Sequence, residues 1–572
     1  MPHKFPLYAC LLCGSWLAFA CPSTPLVIAE ETTQKETTRI TGPLTAEGYI
    51  DFFKAMEEQM YPPEIATDEN GFRIFLRLFG DAGDKEKSEN SEFYRLQKYK
   101  KLGLDPNIPP TLVFPDEPSK VIKDFCEAKG YEIPPGDQIT VGSSPWTLKE
   151  YPMLTDWIKE IDVPMDAVAE AIRKPLFFPP PLLQRREEIE SGEPPNLDGV
   201  LLPDIQFSRS IARIFQARAM YRIGQGNIDG AIDDKLTLHR LGRLLPHKGC
   251  AVQHFVGVAI EGMAMTIPLN ANPDHPLTEQ QIRRLLDGLA ALPPRAPLTD
   301  VYKWERFTSL SAIQYVKIQA DAQDQKALTE FYNNMGLPSR LFHAALSSSL
   351  KLPPFNWDTV YNRVNEFYDA MLEPPPRAKF HAMRKEVKMQ DKWKLLTRTL
   401  LTPDGRETLA ADMILEIMVS ALEDILESTR QCSECLDNMQ RLAWAVLLYQ
   451  LENGKMPYNN WAVQIEKYLG TDPGQYFSCP SNPSLKGKTT YALIHYGGRV
   501  PGSQDTLLLI ELAESVPLDR AIVSVEEVLE HKRVGSAHPG AMVVAHRNGA
   551  VRMQSLYTSD EEWLRLLRRK VE

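Results

Sequence analysis

CLDNMQRLAWAVLLYQLENGKMP, residues 435–457, is the stretch that decides the fold. Leu436, Met439, Leu442, Ala443, Val446 and Tyr449 recur at three- and four-residue intervals, the spacing of an apolar helix face. Asn453-Gly454 supplies a left-handed stop and Pro457 forbids continuation, so a helix is predicted from Cys435 to about Leu451. Beyond it the period changes. Thr490–Ile494, Thr506–Leu512, Ala541–Ala545 and Ala550–Met553 read as short strands. Asn548-Gly549 between the last two is a two-residue hairpin signal, because both central positions of the favoured turn need positive φ. A long helix feeding a small antiparallel sheet is an α+β head.

Upstream of the head the chain reads as helical. Leu409–Glu427 is predicted as an amphipathic helix with Ile414, Ile417, Met418, Leu422 and Ile425 inward. From about 205 to 400 helices predominate. Ile211, Ile214, Phe215, Ala219 and Met220 begin an apolar stripe that resumes after Gly224-Gln225-Gly226-Asn227 with Ile228, Ala231, Ile232, Leu236 and Leu238. The Gly226–Ala231 spacing resembles the turn of one tetratricopeptide unit. Arrays need several units to bury a core, so an isolated helical hairpin is expected. Gly224-x-Gly226-x-x-x-Gly230 is set aside as a dinucleotide loop, since a helical pattern and not a strand precedes it. Further helices are expected at Glu279–Leu292, Val301–Gln323, Gln325–Tyr332 and Trp357–Leu372, two of them ended by Pro293-Pro294 and Pro374-Pro375-Pro376. The basic tract Arg377–Arg398 reads as a charged helix face.

Proline stands at 45 of 572 positions, well above the roughly 5% average. Between Leu104 and Pro203 it recurs as Pro109-Pro110, Pro134-Pro135, Pro179-Pro180-Pro181 and Pro194-Pro195. Phe177-Phe178 beside three prolines reads as a rigid strap packed on the helical body, with a docking segment for an aromatic groove as the alternative. The acidic excess, 75 against 64 for a net charge of −11, gives no nucleic-acid footprint.

The N-terminus reads as an export signal. A basic start precedes the apolar run Leu7–Ala20, too short for a span that needs ~20 residues. Cleavage is expected after Ala20 or after Ala29. The first would expose Cys21, but Ala18-Phe19 does not suit a lipoprotein box, so lipid anchoring is the lesser reading. Residues 30–44 form a polar linker. The mature chain is then divided into a small helical segment with Pro-rich connectors (45–203), an α-helical domain (204–406) and the α+β head (407–572). No later segment reads as a membrane span.

The head resembles the pilin-type, pseudopilin-like heads of secreted planctomycete-type bacterial proteins. The likeness rests on Cys435-Leu-Asp-Asn438-Met439 through Gly454-Lys-Met-Pro457, on Cys479-Pro480-Ser481, and on a strand ending at Glu511. It closes with His538-Pro539-Gly540 and with Asn548-Gly549-Ala550-Val551-Arg552. It covers about 140 residues. The resemblance implies a mostly α-helical body carrying a pilin-like α+β head that is noncatalytic and used for packing or recognition. Pilus assembly does not follow from it: the helix before the head carries Asp412, Glu416, Glu423, Asp424 and Glu427, charges that bar it from a bilayer.

Five cysteines follow Cys21: Cys126, Cys250, Cys432, Cys435 and Cys479. In an oxidising compartment Cys435–Cys479 is the expected disulfide, tying the helix start to the loop before the sheet and worth ~3–4 kcal/mol. The partners of the other three stay open. Cys432-Ser-Glu-Cys435 lacks the strand a redox CxxC needs, and zinc held by Cys432, Cys435, Cys479 and a histidine is set aside because no second CxxC or paired histidine completes the site, so no metal and no cofactor is assigned. His538 and His546 flank the last hairpin within reach of Glu511, an acid–base arrangement set against a structural role in the turn. No catalytic residue is assigned. The sequence thus predicts an exported, noncatalytic structural or interaction protein of the bacterial envelope or exterior, with a protein partner and no nucleic acid. The alternatives are a secreted hydrolase with its site between body and head, or a peptide- or glycan-binding module.

Overall fold

The computed structural model describes residues 39–568 except 82–88, 134–139, 183–196, 198–201, 322–355, 374–376, 388–404, 416–420, 484–486, 497–503, 535–536 and 539. The export segment with Cys21, the linker up to residue 38, the expected helix Gln325–Tyr332, Pro194-Pro195, Pro374-Pro375-Pro376 and Pro539 lie outside the described residues.

The fold is mostly helical and ends in a five-stranded sheet. Helices α1 (Phe52–Met60), α2 (Gly71–Phe79), α3 (Glu89–Lys101), α4 (Pro118–Lys129) and α5 (Thr155–Ile172) form the N-terminal part. The proline strap packs there as expected: Phe177 and Phe178 are each 1% exposed, and Asn70 grips the Phe178 backbone through both its amide atoms. Burial leaves neither phenylalanine for an external groove.

Helices α6 (Pro203–Gly224), α7 (Ile228–Leu244) and α8 (Ala251–Met265) stack on one another. The expected hairpin between α6 and α7 is present. Gly226 takes the positive φ that the tight turn requires, and Asn227 caps α7 by accepting from the Gly230 N–H. The body continues through α9 (Glu279–Ala290), α10 (Leu298–Asp321), α11 (Trp357–Leu372), α12 (Ala378–Val387) and α13 (Gly405–Leu415).

The deciding stretch lies within a longer helix than the pattern predicts. Helix α14 runs from Ala421 to Asn453 without a break at residues 428–434, which contain neither Gly nor Pro to stop it. Residues 439–448 are all buried, on every side of the helix. One flank meets α8 and α9 of the body; the other meets the sheet. A helix enclosed in this way needs no polar face.

After α15 (Trp461–Ile465) come β1 (Lys488–His495), β2 (Leu507–Pro517), β3 (Ile522–Ser524), α16 (Val525–Val534), β4 (Ala541–His546), β5 (Val551–Ser555) and α17 (Asp560–Arg568). The sheet order is β3-β1-β2-β4-β5. The sheet is mixed, which corrects the antiparallel expectation: after β2 the chain passes the start of β1 and lays β3 alongside it in parallel. The hairpin loop also differs. Gly549 N–H bonds the His546 carbonyl and His546 N–H bonds the Ala550 carbonyl, so Arg547, Asn548 and Gly549 form a three-residue loop in which Gly549 alone has positive φ.

Alternation along the strands places Leu493, Leu509, Val543 and Ala545 against α14. Ile494, Ile510, Met542 and Val544 face α16 and α17, around Trp563. The first of these faces belongs to a core that is continuous with Phe72, Trp146 and Ile214 far upstream. A second core joins α1, α10, α11, α12 and α13 to the start of α14 at Leu426. Among the described residues no helix is long and apolar enough to cross a membrane.

Candidate functional site

Four of the residues singled out by the sequence meet inside the head. Cys435 projects from α14, Cys479 from the loop before β1, Glu511 from the middle of β2, and His538 from the segment leading into β4. Their ligand-type atoms all lie within 4.8 Å of one another. Cys435, Cys479 and Glu511 are fully buried and His538 is 2% exposed.

The local structure explains the convergence. Residues i and i+3 share a helix face, so Cys432 and Cys435 point the same way from α14. The Cys479 N–H donates to Thr490 Oγ1 at 2.6 Å, and Asn438 Nδ2 donates to the Ser478 carbonyl at 3.2 Å, which holds the loop between helix and sheet. Glu511 interrupts the apolar run of a central strand, so its carboxylate cannot reach solvent. Its Oε2 accepts from the Val543 N–H at 3.2 Å.

Cys479 Sγ lies 3.4 Å from His538 Nε2, and that nitrogen lies 3.4 Å from Glu511 Oε1. Cys435 Sγ is 3.6 Å from the same carboxylate oxygen and 3.2 Å from the Tyr491 hydroxyl. On the far side of the ring, Cys432 Sγ is 3.1 Å from His538 Nδ1.

Electrostatics divide these groups. A hydrogen bond from Cys435, acting against burial and with help from His538, draws the Cys479 thiol down to about 4. Burial opposes charge on His538, but hydrogen bonds to Cys432 and Cys479 and the field of Glu511 outweigh it and raise the imidazole to about 10. Burial and the neighbouring Cys479 push Glu511 up to about 8, and burial pushes Cys435 well above the ordinary thiol range. The site thus favours a thiolate beside an imidazolium.

The sulfurs of Cys435 and Cys479 lie within 4.8 Å of each other but not at disulfide distance, and both are free cysteines in the structure. The side chains of His538 and Glu511 share the space with their thiols. His538 reaches Glu511, whereas His546 turns away and bonds the Asp505 carbonyl at 2.6 Å. Without a second CxxC or a paired histidine the fold still gathers four donor residues, with Glu511 supplying the oxygen.

The other motif positions shape the rest of the head. Ser481 Oγ donates to Gln431 Oε1 at 2.9 Å, beside Pro480, and Asn548 Nδ2 donates to Asp505 Oδ1 at 2.9 Å. Gly454 stops α14 at positive φ, Pro457 is buried just beyond it, and Gly540 makes the turn into β4 at positive φ. Gly549 lets the last hairpin press on α14: a Cβ there would stand 2.0 Å from the Trp444 ring.

A second polar centre, which the sequence does not announce, ties α14 to the body. Glu261 on α8 accepts from Arg243 and Arg295, at 2.9 and 3.0 Å, and Arg243 also reaches Asp437 on α14 at 3.0 Å. Burial works against the Glu261 charge, yet Arg295, His239 and Arg243 together hold the carboxyl far below its usual range. The crevice beside this network, lined by Pro246, His254, Arg430 and Ser433 among others, has a volume of about 20 Å³. That is room for a water molecule.

Comparison with protein-family models, with curated proteins and with solved structures finds no match.

Proposed function

We propose that the chain is an exported, noncatalytic structural or interaction protein of the bacterial envelope or exterior, with a pseudopilin-like head as its C-terminal frame. The observation that supports the noncatalytic part of this reading is the closure of the head's chemical cluster: none of Cys435, Cys479, Glu511 and His538 exposes more than 2% of its surface. A nucleophile and base must touch substrate to turn it over. Groups sealed between a helix and a sheet serve the frame that holds them. The crevice between body and head supports the same reading, since about 20 Å³ accommodates no hydrolase substrate.

The test is fractionation and crosslinking in a bacterial host, followed by identification of the linked peptides. Recovery outside the cytoplasm, with reproducible links from Tyr476–Lys488 or from the 538–552 segment to one other envelope protein, is the expected result. Retention in the cytoplasm, or links confined to this chain, overturns the reading. Turnover of a hydrolase substrate that is lost in Cys479→Ala, with the fold intact, would establish the alternative instead.

A further inference from the structure

We propose that Cys435, Cys479, Glu511 and His538 form a closed, four-coordinate site for a zinc-class divalent ion. The inference rests on the geometry of the cluster and is independent of where the protein resides.

The spacing is the first argument. Ligand bonds of about 2.3 Å to sulfur and 2.0–2.2 Å to nitrogen or oxygen, set at tetrahedral angles, place neighbouring donor atoms roughly 3.3–3.8 Å apart. Cys479 Sγ to His538 Nε2 is 3.4 Å, His538 Nε2 to Glu511 Oε1 is 3.4 Å, and Cys435 Sγ to Glu511 Oε1 is 3.6 Å. Three edges of the expected tetrahedron are therefore in place, and the remaining separations are no greater than 4.8 Å. Each donor comes from a different element, so the convergence is not an accident of one helix face or one loop.

The second argument is charge. Cys435, Cys479 and Glu511 can ionise together in this dry interior only beside a cation, since two thiolates and a carboxylate would otherwise repel one another at a heavy desolvation cost. A divalent cation cancels most of that charge, and the Tyr491 hydroxyl and the Val543 N–H stand ready to donate to what remains on Cys435 and Glu511.

The third argument is the surrounding shell. A ligating imidazole is oriented by a partner on its other nitrogen. Here His538 offers Nε2 to the cluster while Nδ1 meets Cys432 Sγ at 3.1 Å. Cys432 is therefore a positioning residue, which accounts for a CxxC in which only the second thiol faces the donor set.

The donor chemistry selects the ion. Thiolates disfavour calcium and magnesium, and mixed sulfur, nitrogen and oxygen donors at tetrahedral spacing suit zinc. All four positions are filled by the protein and buried, so the site holds structure and leaves no place for a reacting water.

The experiment uses the full chain purified under reducing conditions. One zinc per chain should survive gel filtration with a weak chelator. After stripping, cobalt should restore one equivalent with thiolate charge-transfer and tetrahedral visible bands. His538→Ala and Cys479→Ala should lose the stoichiometric metal, and Cys126→Ser should keep it. Should the ligand variants fail to fold, alkylation of the unaltered chain decides: Cys435 and Cys479 should resist reagent until a strong chelator is added. Cobalt binding without a thiolate band, equal metal loss in Cys126→Ser, or a Cys435–Cys479 disulfide in metal-free protein recovered from its host would overturn the proposal.

Discussion

Individual side chains in this protein gain their meaning from partners far away in sequence. Cys432 is such a residue: replacing it with Ala should leave the zinc stoichiometry intact but weaken affinity about 10–100-fold, measured by competition with a chelating dye. Glu261 is another, held between Arg243 and Arg295. Glu261→Gln leaves Asp437 alone to balance Arg243 and Arg295 and should destabilise the chain by ~3–5 kcal/mol in urea unfolding. His254 gives a pH signature. It lies 5% exposed beside Glu261, Arg295 and Arg430, and neither ring nitrogen has a hydrogen-bond partner among the described residues. Burial, reinforced by Arg430 and Arg295 against the pull of Glu261, lowers its pKa to about 4. Between that value and about 6.5 the unfolded chain binds the proton and the folded chain does not, so stability falls as pH drops through this window. His254→Gln should flatten the dependence of melting temperature on pH across the same interval. The sequence reveals Cys435, Cys479, Glu511 and His538 one by one, as motif positions, and even the nearness of the two cysteines. It does not reveal the full donor set, because the four residues are spread from 435 to 538 and only the packing of α14 and two loops against β2 brings them together.

At the scale of elements, local chemistry proves legible where a single residue decides. Gly226 with Asn227 makes the α6–α7 turn, and Gly454 stops α14. What escapes is context. Asn548-Gly549 predicts a two-residue turn, but Asn548 is engaged with Asp505, and the chain spends Arg547 as a third loop residue. The parallel strand β3 is only three residues long, too short for a period to declare itself. The same hairpin supplies a sharp test. Gly549 combines φ of +84° with a path blocked by Trp444, so Gly549→Ala should cost at least about 2 kcal/mol from backbone strain and overpacking together, read from chemical unfolding. Gly262 has open space around it, and Gly262→Ala should be neutral or mildly stabilising in the same assay.

For the whole molecule, composition foretells a helical chain with proline connectors but not how its parts share their interior. The core that includes Leu509 and Val543 in the head also includes Phe72 and Trp146. Helix α14 needs both neighbours, since residues 439–448 are buried throughout. A fragment beginning at Ala421 would expose the flank that α8 and α9 cover, and it is expected to aggregate or to bind a hydrophobic dye strongly. A soluble, cooperatively melting fragment would show that the head is autonomous after all. This double enclosure also has a mechanical side. A helix gripped along two flanks carries load in shear: a pull on the sheet along the helix axis must shift many interlocked side chains at once, whereas a pull across that axis frees them in succession. The molecule should therefore be stiff in one direction and weak in another, with α14 as the beam that sets the difference.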